Sequence, residues 1–313
     1  MFHNYRADWG VFKPRRFFLV FNKLAGRSRQ DSVQDVLSLA RDYRIEFERI
    51  YVLPDDELNF DFVRDDVVFI RGGDGTTHHF LTEIMTRGKE IPMLAHIYGG
   101  SMCTVEKCLR VPDRVKLIKK VSDYLRDGRF IFIPRPSIEI CFGDERKYGF
   151  LFGAILPATF LRDYYSYGET GPKTAVRTVS KYVRGVLLMD KDIIKKFKSE
   201  KVRLISKDFS IEKDFYLIGA STVHSFGLNF STFPKAPKCS SGFNLIATSL
   251  FPLFLVFFLP LIYFGVLPPN SLNVVLDEIK ISFDSEKDFT IDGDIYSAKD
   301  LVLRTGPVVR FIV

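Results

Sequence analysis

Apolar runs alternate with amphipathic stretches over the first 130 residues of the chain. Runs rich in β-branched and aromatic residues predict four strands, at positions 16–21, 45–53, 67–70 and 91–98. Between and after them, apolar residues recur at helical spacing, in 32–43, 77–87 and 115–125. Strands that alternate with helices in this way indicate a doubly wound parallel α/β sheet.

The pattern changes near residue 131. Short runs typical of antiparallel strands follow at 131–142, 147–155, 202–205, 215–220, 279–283 and 301–303. One helical stretch, 173–189, interrupts them. We therefore expect an α/β domain at 1–130 and a β-rich domain at 131–313, whose last strands could return to pack on the first domain.

A long apolar segment lies inside this second part of the chain. No charged residue occurs between Lys238 and Asp277, and 243–267 is almost wholly apolar. Its length would allow it to span a bilayer, which takes about 20 apolar residues, but Pro252 and Pro260 are expected to disrupt a helix there. Three interpretations stay open: a membrane-surface or lipid-binding element, a buried core helix, and a true membrane span.

The composition of the chain indicates which partners it can bind and in which compartment it resides. The 313 residues are 46% apolar, and the net charge of +7 favours a nucleotide, a nucleic acid or an acidic membrane surface as partner. An ordinary basic surface would give the same charge. No basic-aromatic motif supports nucleic-acid binding. The four cysteines lack the spacing of a zinc site or disulfide framework, and 1–16 lacks the apolar core of a signal peptide, so we expect a reducing compartment.

The third predicted strand ends in the string GGDGT at 72–76. Glycines let a backbone approach a ligand closely, and a strand followed by a turn and a helix start offers N–H groups to a phosphate. Asp74 among them suggests that Mg²⁺ accompanies the phosphate. An ordinary glycine-rich turn with a capping aspartate is the alternative. Polar turns also follow two other strands, at 22–27 and 99–101, and we expect all three turns to meet at one ligand site.

Four stretches, in this order, resemble the diacylglycerol kinase catalytic superfamily, which includes soluble bacterial lipid kinases and sphingosine kinases. They are FNKLAGRSR at 21–29, GGDGT at 72–76, YGGSMCTVEK at 98–107 and IDGDIY at 291–296. GGDGT is also found in NAD kinases, whereas the last two stretches favour the lipid-kinase branch. IDGDIY resembles the family's late Asp-Gly-Glu box, although Asp-Gly is also a strong hairpin signal.

The resemblance implies a kinase with an active-site cleft between the α/β domain and a C-terminal β-sandwich. It would transfer the γ-phosphate of ATP to a lipid hydroxyl, of diacylglycerol or sphingoid-base type. Asp74 would position Mg²⁺, and Asp294 would act as the general base. The residues that would contact ATP are Asn22, Gly26, Arg27, Gly72, Gly73, Gly75, Thr76 and Ser101. We expect a cytoplasmic protein bound peripherally to an anionic membrane surface, and a homodimer stays open.

Several positions depart from the family pattern. His78 and His79 follow Thr77 where the family usually has x-Asn-Glu, and Cys103 replaces the asparagine of Gly-Thr-x-Asn. The usual proline and serine of the first loop are Lys23 and Ala25. Two alternatives therefore stay beside the lipid kinase: an NAD kinase, and a non-catalytic module that binds lipid or nucleotide.

Overall fold

The computed structural model describes residues 5–11, 13–26, 32–57, 61–228 and 230–313. The chain divides into two compact units. The N-terminal unit comprises 4–135 and 308–313, and the C-terminal unit comprises 136–307. Two long strands, β6 (Arg129–Phe142) and β15 (Asp294–Ile312), contribute residues to both units.

The N-terminal unit contains a parallel α/β sheet. Its other strands are β1 (Asp8–Val11), β2 (Phe17–Asn22), β3 (Arg49–Leu53), β4 (Val67–Gly72) and β5 (Met93–Tyr98). Its helices are α1 (Val33–Asp42), α2 (Asp74–Thr86), α3 (Thr104–Leu109) and α4 (Arg114–Asp127). Parallel pairing joins β3, β2, β4, β5 and the end of β15, in that order. The short β1 pairs antiparallel with the start of β6.

The sequence explains why β4 lies at the centre of this sheet. All six of its residues are buried, as expected for a strand that is covered on both faces. The helix that follows it, α2, buries Phe80, Leu81 and Ile84 at helical spacing. Because β2, β4 and β5 are parallel neighbours, their carboxyl ends lie at the same edge of the sheet.

The C-terminal unit is built on antiparallel strands. They are β7 (Glu145–Gly149), β8 (Leu151–Ile155), β9 (Glu200–Ile205), β10 (Ser210–Phe215), β11 (Leu217–Ser221), β12 (Phe243–Thr248), β13 (Leu272–Leu276) and β14 (Glu278–Ile291), with parts of β6 and β15. Its helices are α5 (Leu156–Ser166), α6 (Pro172–Leu187), α7 (Lys191–Lys196) and α8 (Pro252–Tyr263). One path of pairing runs β13, β12, β11, β8, β14, and β14 also pairs with β9 and β15. The predicted fold class, a parallel α/β region followed by an antiparallel β region, is confirmed.

The apolar segment at 243–267 forms two different elements. Its first part is β12, a strand whose six residues are all buried. Its second part is α8, which begins at Pro252, a helix position that tolerates proline, and continues through Pro260. The expectation that these two prolines prevent a helix is therefore wrong. Within the ranges that the structure describes, no helix is both long and apolar enough to cross a bilayer.

Candidate active site

Three loops meet at the carboxyl ends of β2, β4 and β5 in the N-terminal unit. Asn22, the last residue of β2, donates a hydrogen bond from Nδ2 to Thr76 Oγ1 over 2.9 Å. Gly26 faces Ser101 so closely that a Cβ at position 26 would collide with the serine hydroxyl. The structure thus brings the predicted loop residues of three separate segments into mutual contact.

Glycine is required where the second and third loops touch. A Cβ at Gly73 would lie 2.7 Å from the Cα of Gly100, a distance that real Cβ atoms essentially never show. The same loops are joined by the N–H of Gly99, which donates to the carbonyl of Gly72 over 2.7 Å. Two backbones can therefore pack directly against each other beside Asp74, which a side chain at either glycine would prevent.

Helix α2 begins earlier than the sequence pattern predicts. Gly73 is its N-cap and Asp74 its first residue, three positions before the predicted start at 77, so Thr76 lies inside the first turn. The extended backbone of Gly73 allows this earlier start. The hydroxyl of Thr76 is buried and accepts the hydrogen bond from Asn22. Thr76 and Asn22 therefore hold the first two loops together.

Both carboxylate oxygens of Asp74 accept backbone N–H groups at the start of α3. The N–H of Thr104 donates to Oδ2 over 2.8 Å, and the N–H of Val105 donates to Oδ1 over 2.9 Å. Asp74 thus caps a helix from a different loop, because α3 begins after Cys103, whose backbone is left-handed. Burial, together with the neighbouring carboxyl of Glu106, raises the pKa of Asp74 to about 8.

The donor set around Asp74 fits a divalent cation. Besides the two N–H groups that Asp74 accepts, a side-chain hydrogen bond joins its carboxyl to that of Glu106, so two carboxyl groups lie together here. Hard oxygen ligands are those that Mg²⁺ prefers, and a cation would offset the cost of two carboxylates in one buried place. The first turn of α2 adds the positive end of a helix dipole, which favours phosphate.

Glu106 and its partner His96 belong to this site, although the sequence motifs did not predict them. His96 on β5 and Glu106 on α3 are both fully buried, with Nε2 and Oε1 3.0 Å apart. Burial alone would raise the pKa of Glu106, but the adjacent histidine lowers it below the usual glutamate value. A histidine inside the apolar run of β5 and a glutamate between buried residues of α3 were the signals available in the sequence.

We expect His96→Leu to reduce the free energy of unfolding by about 3–5 kcal/mol, because it leaves a buried carboxylate unpaired beside Asp74. The double variant His96→Leu with Glu106→Leu should recover most of that loss, since it removes both charges. Denaturant unfolding of both variants, with Glu106→Leu alone completing the cycle, measures the coupling. A double variant as unstable as His96→Leu would show that the pair contributes packing only.

The remaining departures from the family pattern lie in different environments. His78 is buried and its neighbour His79 is exposed, and the centroids of their rings lie 5.1 Å apart. Cys103 is buried between the second and third loops, and burial raises the pKa of its thiol, which keeps it protonated. The predicted nucleotide residue Arg27 lies outside the described residues.

In the C-terminal unit, Asp292 and Gly293 form the two-residue turn between β14 and β15. Ile291 pairs with Asp294, and both turn residues have positive φ, 48° and 98°, as Asp-Gly hairpins require. Asp292 is buried, and its carboxylate accepts the N–H of Leu151 over 2.8 Å and that of Phe150 over 3.0 Å. The hairpin interpretation of this motif is therefore correct, and Asp292 fastens the turn to the start of β8.

Asp294 lies directly after this turn as the first residue of β15 and is half-buried. The turn is held from a second side by Tyr165, whose hydroxyl donates to the carbonyl of Gly293 over 2.7 Å. Two anchors therefore fix the backbone on which Asp294 stands. A rigid support of this kind suits a carboxylate that must be aligned with a reacting group. The role of Asp294 as general base stays a prediction.

Comparison with solved structures identifies the fold. A diacylglycerol kinase structure from Bacillus anthracis str. Sterne superposes with a TM-score of 0.60 at 15% identity, covering 95% of this chain and 96% of the other. A candidate diacylglycerol kinase from the same bacterium gives a TM-score of 0.66 at 16% identity, covering 96% and 98%. Yeast NADH kinase complexed with NADH gives 0.53 at 12% identity, covering 95% of this chain and 78% of that one.

No family model matches the chain. No curated protein matches it either. The structural neighbours belong to the two groups of kinases that the GGDGT string already suggested, so the resemblance is confirmed at the level of the fold. At identities of 12–16%, these neighbours establish a shared fold and not a shared activity.

Proposed function

We propose that this chain is an ATP-dependent lipid kinase, which transfers the γ-phosphate of ATP to the hydroxyl of a diacylglycerol-like or sphingoid-base-like lipid. The observation that carries the proposal is the meeting of three loops around Asp74 at the carboxyl ends of β2, β4 and β5. Ligands of open α/β sheets bind at this edge. The fold shared with diacylglycerol kinase and NADH kinase structures supports phosphoryl transfer as the reaction class.

The proposed roles follow from what phosphoryl transfer demands, which is mainly positioning and charge neutralisation. The first turn of α2 and the loops at Asn22, Gly26 and Ser101 would hold the phosphates of ATP. Asp74, with Glu106 beside it, would hold Mg²⁺. When bound, Mg²⁺ neutralises phosphate charge.

Asp294 would accept the proton of the attacking hydroxyl as general base. Asp294 belongs to the C-terminal unit, and the loops proposed to hold ATP belong to the N-terminal unit.

The C-terminal unit supports a lipid as acceptor. Helix α8 exposes Phe254, Phe257 and Leu261 to solvent, an arrangement that a soluble dinucleotide acceptor does not need. These residues also lead us to propose peripheral association with a membrane. The net charge of +7 favours an anionic membrane, and the cysteine spacing favours the cytoplasm.

A second candidate is an NAD kinase. The shared GGDGT string and the yeast NADH kinase fold favour it. The third candidate is a module that binds nucleotide or lipid without transfer. Cys103 favours it, because a buried thiol stands where the family has an amide able to hydrogen-bond a ligand.

One assay with two acceptors separates these candidates. Purified protein is incubated with radiolabelled ATP, Mg²⁺, a total lipid extract and NAD together, and the products are partitioned between organic and aqueous phases. We expect label in the organic phase. Label in NADP alone would identify an NAD kinase. Bound ATP with label in neither product would identify a non-catalytic module.

A further inference from the structure

Helix α8 presents a row of apolar side chains to solvent in the C-terminal unit. Phe254 is 54% exposed and Phe257 is 64% exposed, and Leu261 and Phe264 continue the row at helical spacing. Other residues of α8 are packed, since Leu253 and Val256 lie against a cluster of Tyr182, Val186, Ile193 and Phe197. These packed residues fix the helix on the unit and leave the exposed row as an unpartnered apolar surface.

Helix α6 packs beside α8, and further exposed apolar residues lie at its C-terminal end. Immediately after α6, Leu188 is 67% exposed, and its neighbours Leu187 and Met189 are exposed as well. Single exposed apolar residues are ordinary on a protein surface, but several on two helices that pack together make a candidate site of interaction. We call this surface, formed by Phe254, Phe257, Leu261, Phe264 and 187–189, the apolar face.

The chain before and after residues 187–189 is strongly basic. Between Pro172 and Lys198 the chain has eight basic residues against two acidic ones, a net charge of +6, whereas the whole chain carries +7. All eight basic side chains are exposed; they are Lys173, Arg177, Lys181, Arg184, Lys191, Lys195, Lys196 and Lys198. The excess positive charge of the protein is thus concentrated on α6 and α7, the helices that share a core with α8.

We propose that the apolar face and the basic surface of α6 and α7 together dock the C-terminal unit onto an anionic lipid bilayer. Aromatic and aliphatic side chains would enter the boundary between headgroups and acyl chains, and the lysines and arginines would contact the anionic headgroups. The twelve residues of α8 measure about 18 Å, against a hydrocarbon core of about 30 Å, so the helix would lie on the bilayer and not across it.

Charge decides between a bilayer and a second copy of this chain. Two copies that met through the apolar face would bring two surfaces of net charge +6 together, which opposes association. A surface of anionic lipid offers the complementary sign. Docking of this surface rests on the proposed lipid kinase function. The test of docking requires neither ATP nor catalysis.

Vesicle flotation of the full chain tests the inference. Wild-type protein is mixed with phosphatidylcholine vesicles that contain or lack 30 mol% phosphatidylglycerol, at low and high salt. We expect binding to the anionic vesicles that falls in high salt, because salt screens the headgroup attraction. The double variant Phe254→Ser with Phe257→Ser should reduce binding roughly tenfold or more, since it removes apolar area that the bilayer would bury. Lys181→Glu with Arg184→Glu should do so by roughly the same factor.

Two matched controls separate docking from general surface effects. Trp9→Ser removes an exposed aromatic residue from the N-terminal unit, and Lys119→Glu with Lys120→Glu reverses two exposed charges on α4. Both should float like the wild type. Circular dichroism and thermal unfolding should show every variant folded, because each changed side chain is exposed.

Three results would overturn the inference: wild-type protein that does not float on anionic vesicles, test variants that bind as their controls do, or a basic surface that binds duplex DNA or RNA in place of vesicles. Failure here leaves the kinase proposal standing, since that is tested separately with a detergent-dispersed acceptor. Conversely, flotation without phosphate transfer would support the docking surface and contradict the kinase proposal.

Discussion

Asp74→Asn is expected to lower phosphate transfer by about a thousandfold, since positioning of the metal is worth several kcal/mol of charge stabilisation in the transition state. The asparagine oxygen can still accept one of the two N–H groups that Asp74 now caps. The fold should therefore lose only about 1 kcal/mol, the value of one hydrogen bond. Initial rates at saturating ATP, measured beside denaturant unfolding, separate the two effects.

Asp113→Asn is the matched control for that experiment. Asp113 is the N-cap of α4 and accepts the N–H of Lys116 over 3.0 Å, so this variant weakens a helix cap without touching the three loops. Its activity should equal that of the wild type. If Asp74→Asn also transfers phosphate at the wild-type rate, Asp74 is a helix cap only, and the magnesium role assigned to it is wrong.

Asp294→Asn is expected to reduce the rate of transfer by a factor of about 10²–10⁴, the usual contribution of a general base, while ATP binding is retained. The asparagine cannot accept a proton from the attacking hydroxyl. Because Asp294 lies after the turn and Asp292 makes the turn's anchoring hydrogen bonds, stability should change little. Initial rates and ATP affinity of the purified variant measure both effects.

Variants of Asp292 are expected to affect stability, in contrast to Asp294→Asn, which is expected to affect the rate of transfer. Asp292→Ala should lower the free energy of unfolding by about 2–4 kcal/mol, because it leaves the buried N–H groups of Phe150 and Leu151 without acceptors. Asp292→Asn keeps an acceptor and tolerates positive φ, so it should remain active. Full activity in Asp294→Asn would mean that the hydroxyl loses its proton to another group.

The meeting of the three loops at 22–27, 72–76 and 99–101 could be predicted because it needs only local signals and the general geometry of parallel sheets. A β-branched run such as 67–70 forms a strand, glycines end it, and parallel strands place their carboxyl ends at one edge of the sheet. The order of the four motifs, the last of which lies at 291–296, linked the C-terminal part of the chain to the same kinase resemblance. The residues that would contact ATP, and the role of Asp294, stay predictions.

Contacts between residues distant in sequence could not be predicted in this way. Asp74 caps α3 across 30 positions and Asp292 holds β8 across 141 positions, and the buried pair of His96 and Glu106 joins a strand to a helix. The division of 243–267 into β12 and α8 also depends on pairing partners, since β12 is buried between β11 and β13. An apolar run alone does not distinguish a buried strand from a helix.

Transfer of labelled phosphate from ATP to a defined lipid tests the central claim most directly. Wild-type protein and Asp294→Asn are given Mg²⁺, radiolabelled ATP and either diacylglycerol or a sphingoid base in mixed micelles, and the labelled product is identified by mass spectrometry. The account predicts a lipid monophosphate from one of these acceptors with the wild type and only background label with Asp294→Asn. Label that never enters lipid, at protein concentrations that bind ATP fully, would contradict it.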